Sequence, residues 1–100
     1  MESLLSRRFA TNLVVLRGRA DLSQEGISNR AGLHTTEISL LERGLRLPRL
    51  DTIVKLSAGA EASLCSLLAG LSWRPGYYVE GEFLVGDISE LSVAAERGAL

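Results

Sequence analysis

Apolar residues recur at helical spacing in five segments between about residue 3 and residue 71. In the first segment, from about Ser3 to Arg17, Phe9, Leu13 and Leu16 lie four and three positions apart, on one face of a helix. The other segments cover residues 23–31, 35–42, 50–58 and about 63–71. A glycine, which favours a helix end, stands near the end of four segments, at Gly18, Gly32, Gly44 and Gly59. The pattern predicts five helices.

The pattern changes after residue 72. Residues 73–76 include a proline and a glycine and predict a turn or linker. Residues 77–79 and 83–85 are β-favouring triplets, which predict either a short hairpin or one strand bent at Gly81. Residues 88–97 fit either a weak terminal helix or a disordered end. We therefore expect an all-α fold, a compact five-helix domain, with a short β-prone C-terminal extension.

The division into a domain at residues 3–72 and an extension at residues 73–100 is accompanied by a division of charge. The whole chain has a net charge of −1. Residues 1–76 contain ten Arg and Lys against seven Asp and Glu, whereas residues 77–100 contain one Arg against five acidic residues. A mildly basic body therefore carries an acidic tail, and the overall net charge does not argue against nucleic acid as a partner.

Composition and motifs exclude several classes of protein. No uncharged apolar stretch approaches the ~18 residues of a membrane span, and the N-terminus lacks the pattern of a secretory signal. A single cysteine excludes an internal disulfide and fits a cytoplasmic protein, and the position of Cys65 among leucines predicts a small core residue. We find no nucleophile–base pair, phosphate-binding glycine loop or carboxylate dyad, and His34 stands alone. We therefore expect no enzyme, cofactor or metal.

The second and third segments are the most informative part of the sequence. Each has about eight residues, fewer than the ~12–15 that make a helix marginally stable in isolation, so both need a surrounding core. Their connection, Gly32-Leu33-His34, is short and begins with glycine. Two short helices joined in this way are typical of a helix-turn-helix unit, whose second helix enters the major groove of DNA.

Residues 22–44 carry a resemblance to a known family. Leu22-Ser23-Gln24-Glu25, Ala31-Gly32-Leu33 and the run from Ile38 to Gly44, followed by Pro48, have the order and spacing of the phage repressor and Cro (XRE-type) helix-turn-helix proteins. The chain resembles this family over about residues 5–72. The resemblance implies a sequence-specific transcriptional regulator, a repressor, that binds a double-stranded DNA operator as a homodimer.

Two residues of the first short helix depart from the family pattern. Gly26 stands where a glutamate or alanine is usual, which costs about 1 kcal/mol of helix stability. Ser28 stands where a buried alanine is usual, so its hydroxyl needs a nearby carbonyl. Neither residue is at a position that the resemblance assigns to DNA reading.

The resemblance places the reading of bases on helix 35–42. Thr35 and Thr36 open this helix, and each can bond a base edge or contact a thymine methyl group. The alternative is that one of them, or His34, only caps the helix. Ser39 and Leu40 lie one turn further along the same face.

Two residues of this helix leave alternatives open. Leu40 either contacts thymine methyl groups or packs against Leu45 without a role in DNA binding. Glu37 either accepts a hydrogen bond from a cytosine amino group or is only a favourable acid in the first turn of the helix.

Further residues would position the protein on the DNA backbone. Arg43, Arg46 and Arg49 follow the recognition helix closely and would hold phosphates, with an affinity that falls as salt increases. The resemblance assigns to Gln24 a phosphate contact and a brace on the second helix. It also assigns to Arg17 and Glu42 a buried ion pair that joins the first helix to the recognition helix.

The C-terminal part raises the question of protein partners. One helix-turn-helix module contacts one half-site, so we expect a homodimer that uses the fifth helix and the β-prone triplets. The alternative is an antitoxin or anti-regulator type of interaction protein, whose acidic tail binds a protein partner.

Overall fold

A computed structural model describes residues 3–86. Five helices are followed by an antiparallel hairpin in which Leu71 is opposite Val85 and Arg74 is opposite Glu82. The predicted fold, five helices with a short β extension, is confirmed. The predicted terminal segment at residues 88–97 lies outside the described residues. In chain order the elements are α1 (Leu4–Arg19), α2 (Gln24–Ala31), α3 (Thr35–Glu42), α4 (Leu50–Gly59), α5 (Leu64–Leu67), β1 (Leu71–Arg74) and β2 (Glu82–Val85).

The helices enclose one apolar core. The predicted stripe of Phe9, Leu13 and Leu16 is buried, and it is the contribution of α1 to this core. Every other helix adds at least one buried apolar side chain, so the short helices are held by shared packing. These further core residues are Ile27, Ala31, Ile38, Leu41, Leu56, Ala60 and Leu67.

The helix ends agree with the glycine pattern in two cases. Gly32 and Gly44 adopt left-handed backbone, with φ of 68° and 72°, directly after α2 and near the end of α3. After α1 and α4 this conformation is taken by Asp21 and Glu61, with φ of 57° and 52°. At these two helix ends an acidic residue therefore takes the left-handed conformation, a few positions after the glycine of the sequence pattern.

Gly18 and Gly59 lie near helix ends, as predicted, but within the helical backbone. Gly18 is the last residue but one of α1, and Gly59 is the last residue of α4. At Gly59 packing also favours glycine: a Cβ added there would lie 3.1 Å from the Cβ of Ala31. Glycine at this position lets α4 approach α2 closely. A Cβ on Gly18 would meet nothing within 4 Å.

The fifth helix and the hairpin differ from the prediction. α5 is a single turn that stops at Leu67, and Leu71 begins a strand. Residues 73 and 74 belong to β1, although they were expected in a turn, whereas residues 77–79 lie in the loop between the strands. The apolar residues from 64 to 71 fit a helix by spacing, but the chain turns at Gly70, where φ is 82°.

Polar side chains of α1 hold the hairpin in place. The buried Arg8 donates from Nε to the carbonyl oxygen of Ala69 at 3.2 Å and from Nη1 to that of Gly86. Asn12 Nδ2 also donates to the carbonyl of Ala69, at 3.0 Å. A Cβ on Gly70 would overlap the guanidinium of Arg8, so this turn requires glycine. The hairpin is thus bonded to the helical body at its open end, just before β1 and just after β2.

Cys65 was predicted as a core residue and is exposed. Because α5 is only one turn long, it buries Ser66 and Leu67 and leaves Cys65 on the outer side. None of the helices at residues 3–86 is both long and apolar enough to cross a membrane.

Candidate nucleic-acid interface

Helix α3 has an inner and an outer face. Ile38 and Leu41 point into the core and are fully buried. Thr35 and Thr36, in the first turn, are exposed, and Ser39 and Leu40 are half-buried one turn further on. The helix therefore presents its N-terminal turn outward, and the four predicted base-reading residues lie together on this side.

The start of α3 has no side-chain cap. His34 is the N-cap residue and its side chain makes no capping hydrogen bond. Its carbonyl oxygen accepts from the backbone N–H groups of Glu37 and Ile38 at 3.0 and 3.2 Å. His34 therefore occupies the N-cap position, as one alternative had it, but neither its side chain nor that of a threonine caps the helix. The hydroxyls of Thr35 and Thr36 make no hydrogen bond within residues 3–86.

The other end of α3 is held by the predicted ion pair. Arg17 donates from Nε to Glu42 Oε2 at 2.6 Å and from Nη2 to Oε1 at 2.9 Å. Its third nitrogen, Nη1, donates to the carbonyl oxygen of Leu22 at 2.9 Å. The side chains are 21% and 5% exposed, respectively. The hydrogen bonds to Glu42 raise the pKa of the Arg17 guanidinium above its usual value, with a smaller charge attraction in the same direction and burial opposing both.

Gln24 joins this arrangement from α2. Its Nε2 donates to Glu42 Oε1 at 3.1 Å. The brace that the resemblance assigned to Gln24 is therefore present, whereas its phosphate contact stays a prediction. Ser28, also in α2, donates its hydroxyl to the carbonyl of Leu33, which provides the partner that its burial requires.

The three predicted phosphate-binding arginines are exposed but differ in their partners. Arg43 directly follows α3 and makes no side-chain hydrogen bond or ion pair within residues 3–86. Arg46 donates to the carboxylate of Glu37 in the first turn of α3. Arg49 lies 3.4 Å from Asp51 Oδ1, in a pair that is mostly exposed on both sides.

The structure places one more arginine beside the end of α3, which the sequence analysis did not predict. Arg7 of α1 packs over Gly44, since a Cβ on that glycine would lie 3.3 Å from Arg7 Cγ. Arg7 and Arg43 line the same groove, of about 370 Å³, between α1 and the end of α3. Helical spacing placed Arg7 off the apolar stripe, but nothing in the sequence indicated that it would meet residue 43.

The comparisons with known proteins agree with this geometry. The helix-turn-helix family model HTH_3 matches residues 15–64, which include all of α2, α3 and α4. None of the curated proteins compared matches the chain.

Solved structures with a similar fold include regulators. The restriction-modification controller protein C.AhdI from Aeromonas hydrophila is 31% identical, with a TM-score of 0.60 over 62% of this chain and 94% of that one. An HTH_3 family transcriptional regulator from Vibrio cholerae is 28% identical, with a TM-score of 0.61. The match covers 65% of this chain and 36% of that one. The controller protein C.Esp1396I matches 95% of this chain and 94% of its own at 18% identity and a TM-score of 0.59, and thus shows the fold alone.

Proposed function

Because the chain belongs to the helix-turn-helix family HTH_3, we propose that it is a transcriptional regulator that binds double-stranded DNA in a sequence-specific way and reads the major groove with α3. The carrying observation is the arrangement of α3 itself. Its first turn, with Thr35 and Thr36, is exposed and lacks a side-chain cap, while Arg17 and Gln24 hold its last residue. The similarity to a controller protein and to a transcriptional regulator supports the same proposal.

The dimensions fit this role. An α-helix with its side chains is ~10–12 Å across, and the major groove of B-DNA is ~12 Å wide, so α3 can lie in the groove. Thr35, Thr36, Ser39 and Leu40 would face base edges, where a hydroxyl bonds a donor or acceptor and an alkyl group contacts a thymine methyl. The alternative for Leu40 is that it packs near Leu45 and has no role in DNA binding.

The groups around α3 would position it on the backbone. Gln24 begins α2, where backbone N–H groups and the helix dipole favour a phosphate. Arg43, Arg46 and Arg49 would hold phosphates beyond the other end of α3. These contacts carry no base preference but give affinity that depends on salt.

A selection from random DNA at about 100 mM salt, repeated with variants, tests these roles. We expect Thr36→Ala to relax the preference at one or two base pairs. We expect Arg43→Ala to weaken binding to all sequences alike and to reduce the salt slope by about 1. A wild type that enriches no sequence, or a Thr36→Ala variant with an unchanged preference, would contradict the proposal.

We further propose that the regulator acts as a repressor by occupying its operator. A reporter gene behind the selected sequence should lose expression when the chain is produced. An increase in expression would overturn this direction of regulation.

A homodimer is part of the proposal, because one module contacts only one half-site. The extension that begins at about residue 73 would serve it, although the strand β1 spans the expected boundary at 72/73. Four apolar side chains in or next to α5 and in the hairpin are 39–50% exposed, and two of them, Trp73 and Phe83, are in contact edge to face with ring centroids 4.8 Å apart. The exposed residues that support a dimer interface here are Leu64, Leu68, Trp73 and Phe83.

Light scattering of the full chain at micromolar concentration tests the dimer. We expect a dimeric wild type and a monomeric Leu68→Glu variant. Val54→Glu is the matched control, because Val54 is a half-exposed apolar residue on α4 outside the proposed interface. A monomeric wild type, a dimeric Leu68→Glu or a monomeric Val54→Glu would each overturn the interface.

One observation favours the second candidate, an antitoxin or anti-regulator whose C-terminal part binds a protein. Tyr77, Tyr78 and Val79 in the loop of the hairpin are 77–93% exposed, which is unusual for three successive apolar side chains. If this candidate is correct, the loop is cleaved by protease in the isolated chain and protected when a partner protein co-purifies. Equal cleavage in both samples would exclude it.

A further inference from the structure

The pair formed by Glu37 and Arg46 crosses the surface that would meet DNA. Glu37 follows Thr36 in the first turn of α3, and Arg46 lies in the loop after the helix. The guanidinium of Arg46 reaches back along α3 and donates to Glu37 Oε2. The side chain of Glu37 is 22% exposed and that of Arg46 is 52% exposed, so the acid is the more enclosed partner.

This pairing has opposite consequences for two kinds of DNA contact. The carboxylate holds the guanidinium of Arg46 against α3, so a phosphate must compete with it for this arginine, and the acid also repels the DNA backbone. A carboxylate in the major groove can accept a hydrogen bond from the exposed amino group of cytosine. If cytosine takes over the carboxylate, Arg46 is released to a phosphate. A matching site would thus gain two contacts, and a random site would gain neither.

We propose that Glu37 is a specificity-determining residue, which keeps Arg46 from the phosphates until a cytosine amino group replaces it. The inference rests on the proposed function. It assigns to the acid of the recognition helix the rejection of non-matching DNA, in addition to the reading of one base. The inference also explains why Glu37, an acid, lies in a surface that otherwise favours phosphates. Its repulsion of the DNA backbone is offset only where a matching cytosine bonds the carboxylate.

The pair of Arg49 and Asp51 provides a matched comparison. It also joins a predicted phosphate-binding arginine to a carboxylate, at 3.4 Å. Both side chains are more exposed, at 85% and 58%, and both belong to the start of α4 rather than to α3. Removing the charge of Asp51 should therefore change the affinity for all DNA by one factor and leave specificity unchanged.

The test is a set of affinities and salt slopes for the selected site and for a random duplex. For Glu37→Gln we expect the affinity for random DNA to rise about tenfold with a salt slope steeper by about 0.9, the value for one more phosphate contact. The ratio of specific to non-specific affinity should fall by a similar factor, and one selected cytosine position should become degenerate. Adding Arg46→Ala to this variant should remove the gain on random DNA.

The outcomes separate the inference from the function on which it rests. If Glu37 is only a favourable acid of the first turn, Glu37→Gln lowers the unfolding temperature and leaves the specificity ratio unchanged, which overturns the inference. An equal loss of specificity in Asp51→Asn would also overturn it. If the wild type binds no duplex even at low salt, the proposed function itself fails. If the wild type binds DNA and Glu37→Gln leaves the ratio of specific to non-specific affinity unchanged, only the inference about Glu37 fails.

Discussion

The two short helices of the helix-turn-helix unit have equal length but are held in different ways. α2 is capped by the hydroxyl of Ser23, which accepts from Gly26 N at 2.9 Å. Near its other end, Arg30 donates to the carbonyl of Gly59 at 2.7 Å. α3 has no side-chain cap at its start and is held by the core and by the bonds to Glu42. One helix is fixed at both ends, and the other is fixed along its inner face and at its last residue.

This difference is informative because a helix that reads DNA must present polar groups that are not used within the protein. A capping side chain at the start of α3 would occupy the backbone groups nearest to Thr35 and Thr36. The orientation of the helix is instead set from its far end, by three side chains from three helices. We therefore expect substitutions at the end of α3 to lower the stability of the protein strongly and substitutions at its start to have little effect.

The largest effect is expected for Glu42→Ala. This change leaves the guanidinium of Arg17 half-enclosed without its carboxylate and removes the acceptor for Gln24. We expect the free energy of unfolding to fall by about 3 kcal/mol. Urea denaturation measures it, with Glu25→Ala on the exposed side of α2 as the control, expected within about 0.5 kcal/mol of the wild type. A loss below about 1 kcal/mol for Glu42→Ala would show that the ion pair does not hold α3.

The packing of α2 on α4 is expected to give the next largest effect. In Gly59→Ala the new Cβ meets Ala31 at 3.1 Å and its backbone nitrogen at 3.3 Å, and these atoms cannot move independently of α2. We expect a loss of about 1–2 kcal/mol in spite of the better helix propensity of alanine. A gain in thermal stability would mean that the two helices are not closely packed here.

The caps of the two helices should respond differently. Ser23→Ala removes the bond to Gly26 N and should cost about 1 kcal/mol. His34→Ala removes no capping bond, and we expect a change within about 0.5 kcal/mol. Thermal unfolding of the two variants measures both values. Equal losses would remove the distinction between α2 and α3.

The smallest effect is a gain. Gly18 lies inside α1 and a Cβ there meets nothing within 4 Å, so Gly18→Ala should stabilise the protein by about 0.5–1 kcal/mol. The substitution is the same as at Gly59, but the expected change in stability has the opposite sign. If both variants lose stability, helix propensity and open space do not explain the difference between the two glycines.

The sequence was sufficient where apolar spacing decides the structure. The stripe of α1, the inner face of α3 and the left-handed turns at Gly32 and Gly44 follow from local patterns, and the core confirms them. The pairing of Arg17 with Glu42 came from the family resemblance, because no spacing rule connects residues 25 positions apart.

The sequence was insufficient where distant polar groups decide the structure. The hairpin is placed by Arg8, which bonds carbonyl groups 61 and 78 positions away, and no local pattern contains that information. For the same reason Cys65 was assigned to a longer fifth helix than the one that forms. At the candidate interface, the positions of Thr35 and Thr36 were predictable, but the pairing of Arg46 with Glu37 depends on how the loop folds back along α3.

The most direct test of the central claim, that the outer side of α3 meets DNA, is to map amide NMR shifts on addition of a selected duplex. The account predicts that the largest shifts lie in the first turn of α3 and at the neighbouring contacts, with small shifts in the loop of the hairpin. If the amides of α3 are unchanged while another surface responds, the claim is contradicted. The residues expected to respond most are Gln24, Thr35, Thr36, Ser39, Leu40 and Arg43.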